Sequence, residues 1–291
     1  MLILYFDDYC EPAKALAKAL DCQASAIIRH RFPDGESCLT LPSALSGDVL
    51  LCQTLNQPNA KLIELILAAH TARQLGAHRV LLVAPYLCYM RQDMAFEPGQ
   101  AVSQGIIGGL LAETFDGVFT VDAHLHRIHH LSEAIHKGIA CNIIASTTIA
   151  HFIATQYPHA VLIGPDSESE QWVAEAAASV GLAFTIASKT RYGDRDVRVD
   201  LPAFELAGRD VVIVDDIVSS AHTAIEAARI AKARGAARVA IACTHALLAP
   251  GARELIAEEG IDALWSCDSV LDASNAISLA DSLATAIKQA L

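Results

Sequence analysis

The chain has 291 residues, of which 53% are hydrophobic and 19% charged, and its mean hydropathy is +0.35. This is far richer in apolar side chains than a disordered chain, and the length suits two domains of about 150 residues each. The formal net charge is −12 and the isoelectric point near 5.4, the opposite sign from a free binder of duplex DNA or of anionic membranes.

The N-terminal segment MLILYFDDYCEP has no basic stretch ahead of its apolar run, so it reads as a first strand rather than a secretory signal. Short β-branched or leucine-rich runs follow at 26–30, 38–41, 49–52, 79–84 and 117–121, then at 160–163, 182–187, 196–199, 210–214, 238–243 and 262–266. Alanine-rich helical stretches separate them at 11–20, 60–75, 101–115, 146–156, 170–180, 222–234, 250–258 and 276–290. Strands alternating with helices predict βαβ units and mainly parallel sheets, and runs such as VVIV suit strands buried on both faces. No run approaches the ~18 apolar residues of a membrane span. The eight cysteines are scattered, with no C-x-x-C pair, and are expected as reduced thiols in a soluble cytoplasmic protein.

Two stretches repeat one theme. Helix 60–75 runs through QLGAHRV into a strand, and helix 222–234 runs through ARGAARV into another. Gly76 and Gly235 stand where a helix C-cap glycine belongs. The expectation is two similar α/β halves, 1–144 and 145–291. RHRFPDGESCLTLP (29–42) carries a Pro-Asp-Gly turn between short strands and reads as a hairpin flag on the first half. SKTRYGDRDVRVD (188–200), the most charged stretch, reads as a solvated loop or flag.

The strongest chemical signal is VVIVDDIVSSAHTAIEAARIAKARG: a strand, two aspartates, a hydroxyl-rich turn and a helix. Ligands bind at the carboxyl ends of parallel strands, and a helix N-terminus offers free N–H groups to a phosphate. Asp215 and Asp216 suit sugar hydroxyls or Mg²⁺; Ser219, Ser220 and Thr223 suit a phosphate. An ordinary helix cap would use only one of the serines.

This segment resembles the phosphoribosyl diphosphate (PRPP) loop of type I phosphoribosyltransferases and ribose-phosphate pyrophosphokinases. In those families two aspartates and two variable residues precede Asp or Ser and then Thr-Gly-Gly-Thr; here the ending is Ser219-Ser220-Ala221-His222-Thr223. Further blocks resemble the pyrophosphokinases, in that family's order: RFPDGES (31–37), PYLCYMRQDMAFEPGQAVS (85–103), VDAHLHRI (121–128), VLIGPDSESEQWVAEAA (161–177), KTR (189–191) in its archaeal form, and CTHALLAPGA (243–252).

The resemblance implies two phosphoribosyltransferase-type α/β domains, each a mostly parallel sheet flanked by helices, with the last helix packing back on the first domain. It implies transfer of the β,γ-diphosphoryl group of Mg-ATP to the 1-hydroxyl of ribose 5-phosphate, giving PRPP and AMP. Phe32, Asp34, Glu36, Arg91 and Gln92 would bind ATP, with the hairpin donated by a neighbouring subunit of a homo-oligomer. Asp215, Asp216, Ser219, Ser220, Ala221, His222 and Thr223 would bind ribose 5-phosphate. His124 and Asp166 would hold Mg²⁺, and Lys189 and Arg191 would close over the transferring group. No nucleic acid or membrane partner is implied.

Two departures stand out. Both glycines of the PRPP loop are replaced, by Ala221 and His222, and Glu168 and Glu170 follow Asp166 where a diphosphate should lie. They motivate a second reading, a non-catalytic nucleotide-binding homologue. A third, a phosphoribosyltransferase acting on a base, accounts for the double aspartate but not for the Arg-Gln-Asp or KTR blocks. Asp122, His124 and His126 alternate and would share one face of an extended strand, as in a zinc site, but the later histidines follow no ligand spacing.

Overall fold

The computed structural model describes residues 1–125, 127–191 and 197–291, and for 168, 171, 188–191 and 197–200 the backbone alone. The elements in chain order are β1 (Leu2–Tyr5), α1 (Cys10–Ala19), β2 (Gln23–Ala26), β3 (Ile28–Arg31), β4 (Ser37–Thr40), β5 (Asp48–Cys52), α2 (Pro58–Gln74), β6 (Arg79–Val83), α3 (Ser103–Thr114), β7 (Gly117–Val121) and β8 (Ile139–Ile143). They continue with α4 (Ser146–Gln156), β9 (Val161–Gly164), α5 (Glu170–Val180), β10 (Ala183–Ile186), β11 (Ser188–Arg191), β12 (Val197–Asp200), β13 (Asp210–Val218), α6 (His222–Ala233), β14 (Arg238–Ala246), α7 (Ala252–Glu258), β15 (Ala263–Cys267), β16 (Asn275–Ile277) and α8 (Ala280–Ala290).

The chain forms two compact units, Met1–Ile143 with Leu279–Leu291, and Ile144–Ser278. Each is built on a six-stranded parallel sheet, in the order β2-β1-β5-β6-β7-β8 in the first and β10-β9-β13-β14-β15-β16 in the second. The two orders are the same path through the sheet. Each unit also carries a separate antiparallel ribbon, β3–β4 or β11–β12, after its second strand. Residues 188–191 and 197–200 of the charged stretch thus form a two-stranded ribbon, topologically the counterpart of the 28–40 hairpin.

The strands form where the sequence is apolar without alternation: Val49–Cys52, Val80–Val83 and Val211–Val214 are buried throughout, as strands covered on both faces must be. Helices α2 and α6 end at Gly76 and Gly235, both with positive φ. A Cβ on Gly76 would lie 2.6 Å from the carbonyl oxygen of Leu45, so that turn admits no side chain. Among the cysteines, Cys52, Cys88, Cys243 and Cys267 are buried, and burial pushes the Cys88 thiol up to about 12.

Several strands depart from the sequence reading. The run predicted as one strand at 26–30 is split at the buried Ile27, with β2 in the main sheet and β3 in the hairpin. The edge strands β8 and β16 carry too short an apolar signal to stand out. Strand β13 does not end at Val214: it runs through both aspartates to Val218, because β14 is equally long and pairs with it at Asp215↔Cys243 and Ile217↔His245.

The sequence boundary placed all of 145–291 in the second domain, whereas the chain returns to the first unit at Leu279. Helix α8 buries Leu283, Ala284 and Ile287 and packs against α1 and β8, and Lys288 Nζ donates to the Ala19 carbonyl at 2.8 Å. Truncating Ile287, which is fully buried, to Ala should cost about 2–5 kcal/mol through the cavity left under α8, read as a lower urea midpoint.

Candidate active site

In a parallel sheet the chain direction reverses across the order at one point, and the crevice there, outside the carboxyl ends of the strands, is free to hold a ligand. In the second unit that point lies between β9 and β13. Asp166 follows β9 after Gly164 and Pro165, and Asp215 and Asp216 end the inner part of β13. Burial, together with the charges of Asp216 and Asp166, pushes the Asp215 carboxyl well above the usual carboxylate range. The backbone braces the pair: the Asp216 N–H donates to Asp215 Oδ1 at 2.9 Å and the Ile217 N–H to Asp216 Oδ1 at 2.7 Å.

Beyond Val218 the turn Ser219–Ala221 enters α6, with His222 and Thr223 in its first turn. Its carbonyls are tied down, Val218 by the Leu247 N–H at 2.9 Å and Ser219 by the Ala249 N–H at 3.1 Å. Ala221 takes the left-handed conformation itself, at φ 64° and ψ −2°, and its carbonyl accepts the first helical hydrogen bond from Ile225. The loop thus makes at an alanine the bend for which the family pattern uses glycine, and the free N–H groups of α6 are available behind it.

The loop after β9 is equally tight. A Cβ on Gly164 would fall 2.3 Å from Ser169 Oγ, which itself donates to the Asp166 carbonyl at 2.6 Å. Glu170 is the exposed first residue of α5, where a carboxylate is favoured by the helix dipole, which gives it a structural reason to be there. Lys189 and Arg191 lie on β11, in register with Val199 and Val197; their side chains, like that of Glu168, lie outside the described part of the structure.

In the first unit, the expected ATP-side residues fall in two places. Phe32, Asp34 and Glu36 crown the β3–β4 hairpin. The Phe32 N–H donates to the Glu36 carbonyl at 2.8 Å, the Glu36 N–H to Asp34 Oδ1 at 3.1 Å, and Gly35 has φ 95°. Phe32 is 44% exposed, with His30 edge-on at 4.9 Å, so it does not anchor the hairpin in the core of this unit. Arg91 and Gln92 sit in the loop between β6 and α3, an exposed arginine and a half-buried glutamine whose side chain donates to the Met94 carbonyl at 3.0 Å. The buried Gln104 of α3 clamps this loop, its side chain donating to the Met90 carbonyl at 3.1 Å and its N–H to the Gln92 carbonyl at 3.1 Å.

His124 lies in the loop after β7, the strand next to β6, and an Arg127–Asp93 ion pair at 3.6 Å links that loop to the Arg91 loop. The alternation of Asp122, His124 and His126 does not form a strand face: β7 ends at Val121 and Asp122 is left-handed, with φ 40°. His126 lies outside the described residues. Among the described residues no three His, Cys, Asp or Glu side chains form a group able to hold a metal ion.

A sequence model of the N-terminal domain of ribose phosphate pyrophosphokinase matches residues 1–114, and one of the phosphoribosyl transferase domain matches 130–265. A ribose-phosphate pyrophosphokinase of Saccharolobus solfataricus is 35% identical over 264 residues, covering 88% of this chain and 89% of that protein. The chain belongs to the ribose-phosphate pyrophosphokinase family. It is therefore an enzyme of the transferase class. The pyrophosphokinase of Methanopyrus kandleri is 29% identical over 291 residues, covering 99% of both chains. A crystal structure of phosphoribosylpyrophosphate synthetase from Mycobacterium smegmatis shares the fold, with a TM-score of 0.81 and 23% identity over 99% of this chain and 97% of that one.

Sequence reasoning missed a second charged centre in the pyrophosphokinase fold, around Glu64 in α2. Its signal was a lone carboxylate inside the apolar run LIELIL.

Two predictions follow from the geometry of β13 and its turn. Because the folded-state pKa of Asp215 is raised, its favourable contribution is present at low pH and lost as pH rises through that value. Asp215→Asn should therefore raise the Tm of the ligand-free protein at neutral pH, with the gain vanishing as pH falls below the ordinary carboxylate range. Ala221→Gly should relieve about 1–2 kcal/mol of left-handed strain and give back about 0.4–1 kcal/mol of unfolded-chain entropy. The expected net result is a modest rise in the urea midpoint.

Proposed function

We propose that the protein synthesises PRPP by transferring the β,γ-diphosphoryl group of Mg-ATP to the 1-hydroxyl of ribose 5-phosphate. The O1 of the sugar forms a bond to the β-phosphorus, the bond from that phosphorus to the bridging oxygen of the α-phosphate breaks, AMP leaves with that oxygen, and the hydroxyl proton is released to water. The observation that carries this reading is the second unit's switch-point crevice, flanked by Asp166 and Asp215, with a braced turn feeding the N-terminus of α6.

Each residue has a role its chemistry fits. Ser219, Ser220 and Thr223 offer hydroxyls, and Ala221 and His222 backbone N–H groups, to the 5-phosphate at the start of α6. Asp215 and Asp216 accept hydrogen bonds from the ribose hydroxyls, and the sugar fixes O1 for attack. Phe32 stacks on the adenine, Asp34 and Glu36 accept from its amino group and from the ribose, and Arg91 and Gln92 complete the nucleotide contacts. Lys189 and Arg191 stabilise the charge that develops on the transferring group.

Magnesium fits the donor set as a substrate-borne ion. Asp215 is raised by burial first and then by the carboxylates of Asp216 and Asp166, whose mutual repulsion a divalent cation would relieve, yet no described group forms a cage on its own. Mg²⁺ favours phosphate oxygens and waters plus one or two protein groups; Asp166 is such a group in the second unit and His124 in the first, each directly or through water. When bound, it neutralises phosphate charge.

The left-handed conformation of Ala221, which glycine favours, and the place of Glu170 at the start of a helix support a working enzyme over the non-catalytic homologue. A homo-oligomer in which each hairpin serves a neighbouring subunit follows from the same reading.

Phosphorus NMR of the protein with Mg-ATP and ribose 5-phosphate should show AMP and PRPP appearing in equal amounts. ADP instead would mean single phosphoryl transfer, and nucleotide binding without product would support the non-catalytic homologue. Lys189→Ala should lower kcat by about 10³-fold or more while leaving ATP affinity within a few-fold, because its contact develops in the transition state.

A further inference from the structure

The switch point of the first unit, between β1 and β5, is filled by the protein's own charges. Asp8, just past β1, accepts from Gln53 Nε2 at 3.2 and 3.1 Å and lies 3.6 Å from Lys61 Nζ. Gln53 and Lys61 come from the end of β5 and the first turn of α2. Burial opposes the charge on Asp8, but Lys61, Gln53 and Arg29 outweigh it and hold the carboxyl below the usual carboxylate range. Arg29 reaches in from the hairpin: its Nη2 is 3.0 Å from Asp8 Oδ1 and 3.6 Å from Asp7 Oδ1, and its guanidinium lies 4.9 Å from the centre of the Phe6 ring.

The other side of Arg29 meets Glu64, a carboxylate only 2% exposed in the middle of α2. Its two oxygens serve both strands of the hairpin. Oε1 accepts from Ser37 Oγ of β4 at 2.7 Å and lies 3.6 Å from Arg31 Nη2 of β3, while Oε2 lies 3.2 Å from Arg29 Nε. Arg29 and Arg31 are two apart and share a face, and Arg31 pairs with Ser37 across the hairpin. The next residues on either strand are Phe32 and Glu36, at the tip. The hairpin pairs with no strand of the main sheet, so no ladder of backbone hydrogen bonds sets its tilt.

We propose that Glu64 is a positioning residue for the nucleotide. By gripping Arg29, Arg31 and Ser37 at once, it holds the hairpin at the angle that presents Phe32, Asp34 and Glu36 to the adenosine of ATP. This rests on the ATP-binding reading of the hairpin given above. The carboxylate is required because two guanidinium groups converge on it. A glutamine of the same shape keeps an acceptor for Ser37 but leaves the arginines uncompensated on that side. A hairpin that spends only a tenth of its time at the right angle weakens apparent affinity about tenfold without altering the bound complex.

The test places Glu64→Gln in the wild type, in Phe32→Ala and in the variant with Phe32, Asp34 and Glu36 all changed to alanine, using the full-length protein. Mg-ATP dissociation constants come from calorimetry and the kinetic constants for ATP and ribose 5-phosphate from PRPP formation. Glu64→Gln should raise the ATP Kd and KM about tenfold, with kcat and the ribose 5-phosphate KM within about twofold of wild type. Because Asp34 and Glu36 remain at the tip, Glu64→Gln should still weaken ATP binding in the Phe32→Ala background, but it should cost nothing further once Phe32, Asp34 and Glu36 are all alanine, since Glu64 acts through the tip. Glu64→Asp, which restores the charge, should recover part of the loss.

An ATP affinity unchanged in folded Glu64→Gln would overturn the proposal. So would a further loss of ATP affinity when Glu64→Gln is added to the variant lacking Phe32, Asp34 and Glu36, or equal losses for both substrates. If the wild-type protein itself binds no ATP, the nucleotide reading of the hairpin is what has failed, and this inference falls with it.

Discussion

A parallel sheet delivers every loop that follows a strand to the same edge. The crossover helices return the chain to the opposite edge each time, so the carboxyl ends of the strands are the only place where several such loops gather. The whole arrangement depends on this constraint. In the first unit it brings the Arg91 loop and the His124 loop to the ends of the neighbouring strands β6 and β7. In the second it sets Asp166 and Asp215 at the ends of β9 and β13, and the cost of burying Asp215 there, with further carboxylates near it, appears as its raised pKa. A site that is electrostatically uncomfortable when empty favours ligands that bring sugar hydroxyls and a cation to it.

The two units follow the same strand order and use their switch points in opposite ways. In the second, the aspartates face a turn that opens onto a helix N-terminus. In the first, Asp8, Gln53 and Lys61 close on one another and on Arg29. One copy of the fold leaves buried and half-buried aspartates at its switch point, and the other uses its switch point to secure an appendage. The appendages are themselves counterparts: the β3–β4 hairpin bears Phe32, Asp34 and Glu36 at its tip, and the β11–β12 ribbon bears Lys189 and Arg191.

Much of this was legible from residue order. Unbroken apolar runs marked the central strands, glycines at 76 and 235 marked two helix ends, and Pro-Asp-Gly marked the hairpin. The edge strands β8 and β16 were not legible, because three to five residues paired on one side carry little hydrophobic signal. Nor was the full length of β13, whose aspartates read as a loop until β14 is seen pairing past them. The site aspartates and the hydroxyl-rich turn were visible as a motif. Whether an alanine could replace the motif's glycine was a matter of one backbone angle, which composition does not encode.

By itself the sequence determined the class of the protein: two α/β halves, the chemistry-bearing loops in order, and the family those loops resemble. These depend on local pattern, the period of apolar residues and the turn chemistry of glycine, proline and serine, which neighbouring residues alone dictate. Only the tertiary structure decided that Asp215 is held against Asp166 and Asp216, and that a glutamate in an apolar helix grips a hairpin some thirty residues away in sequence. These depend on which surfaces meet after the chain has crossed the sheet, and on the balance between desolvating a charge and supplying its partner.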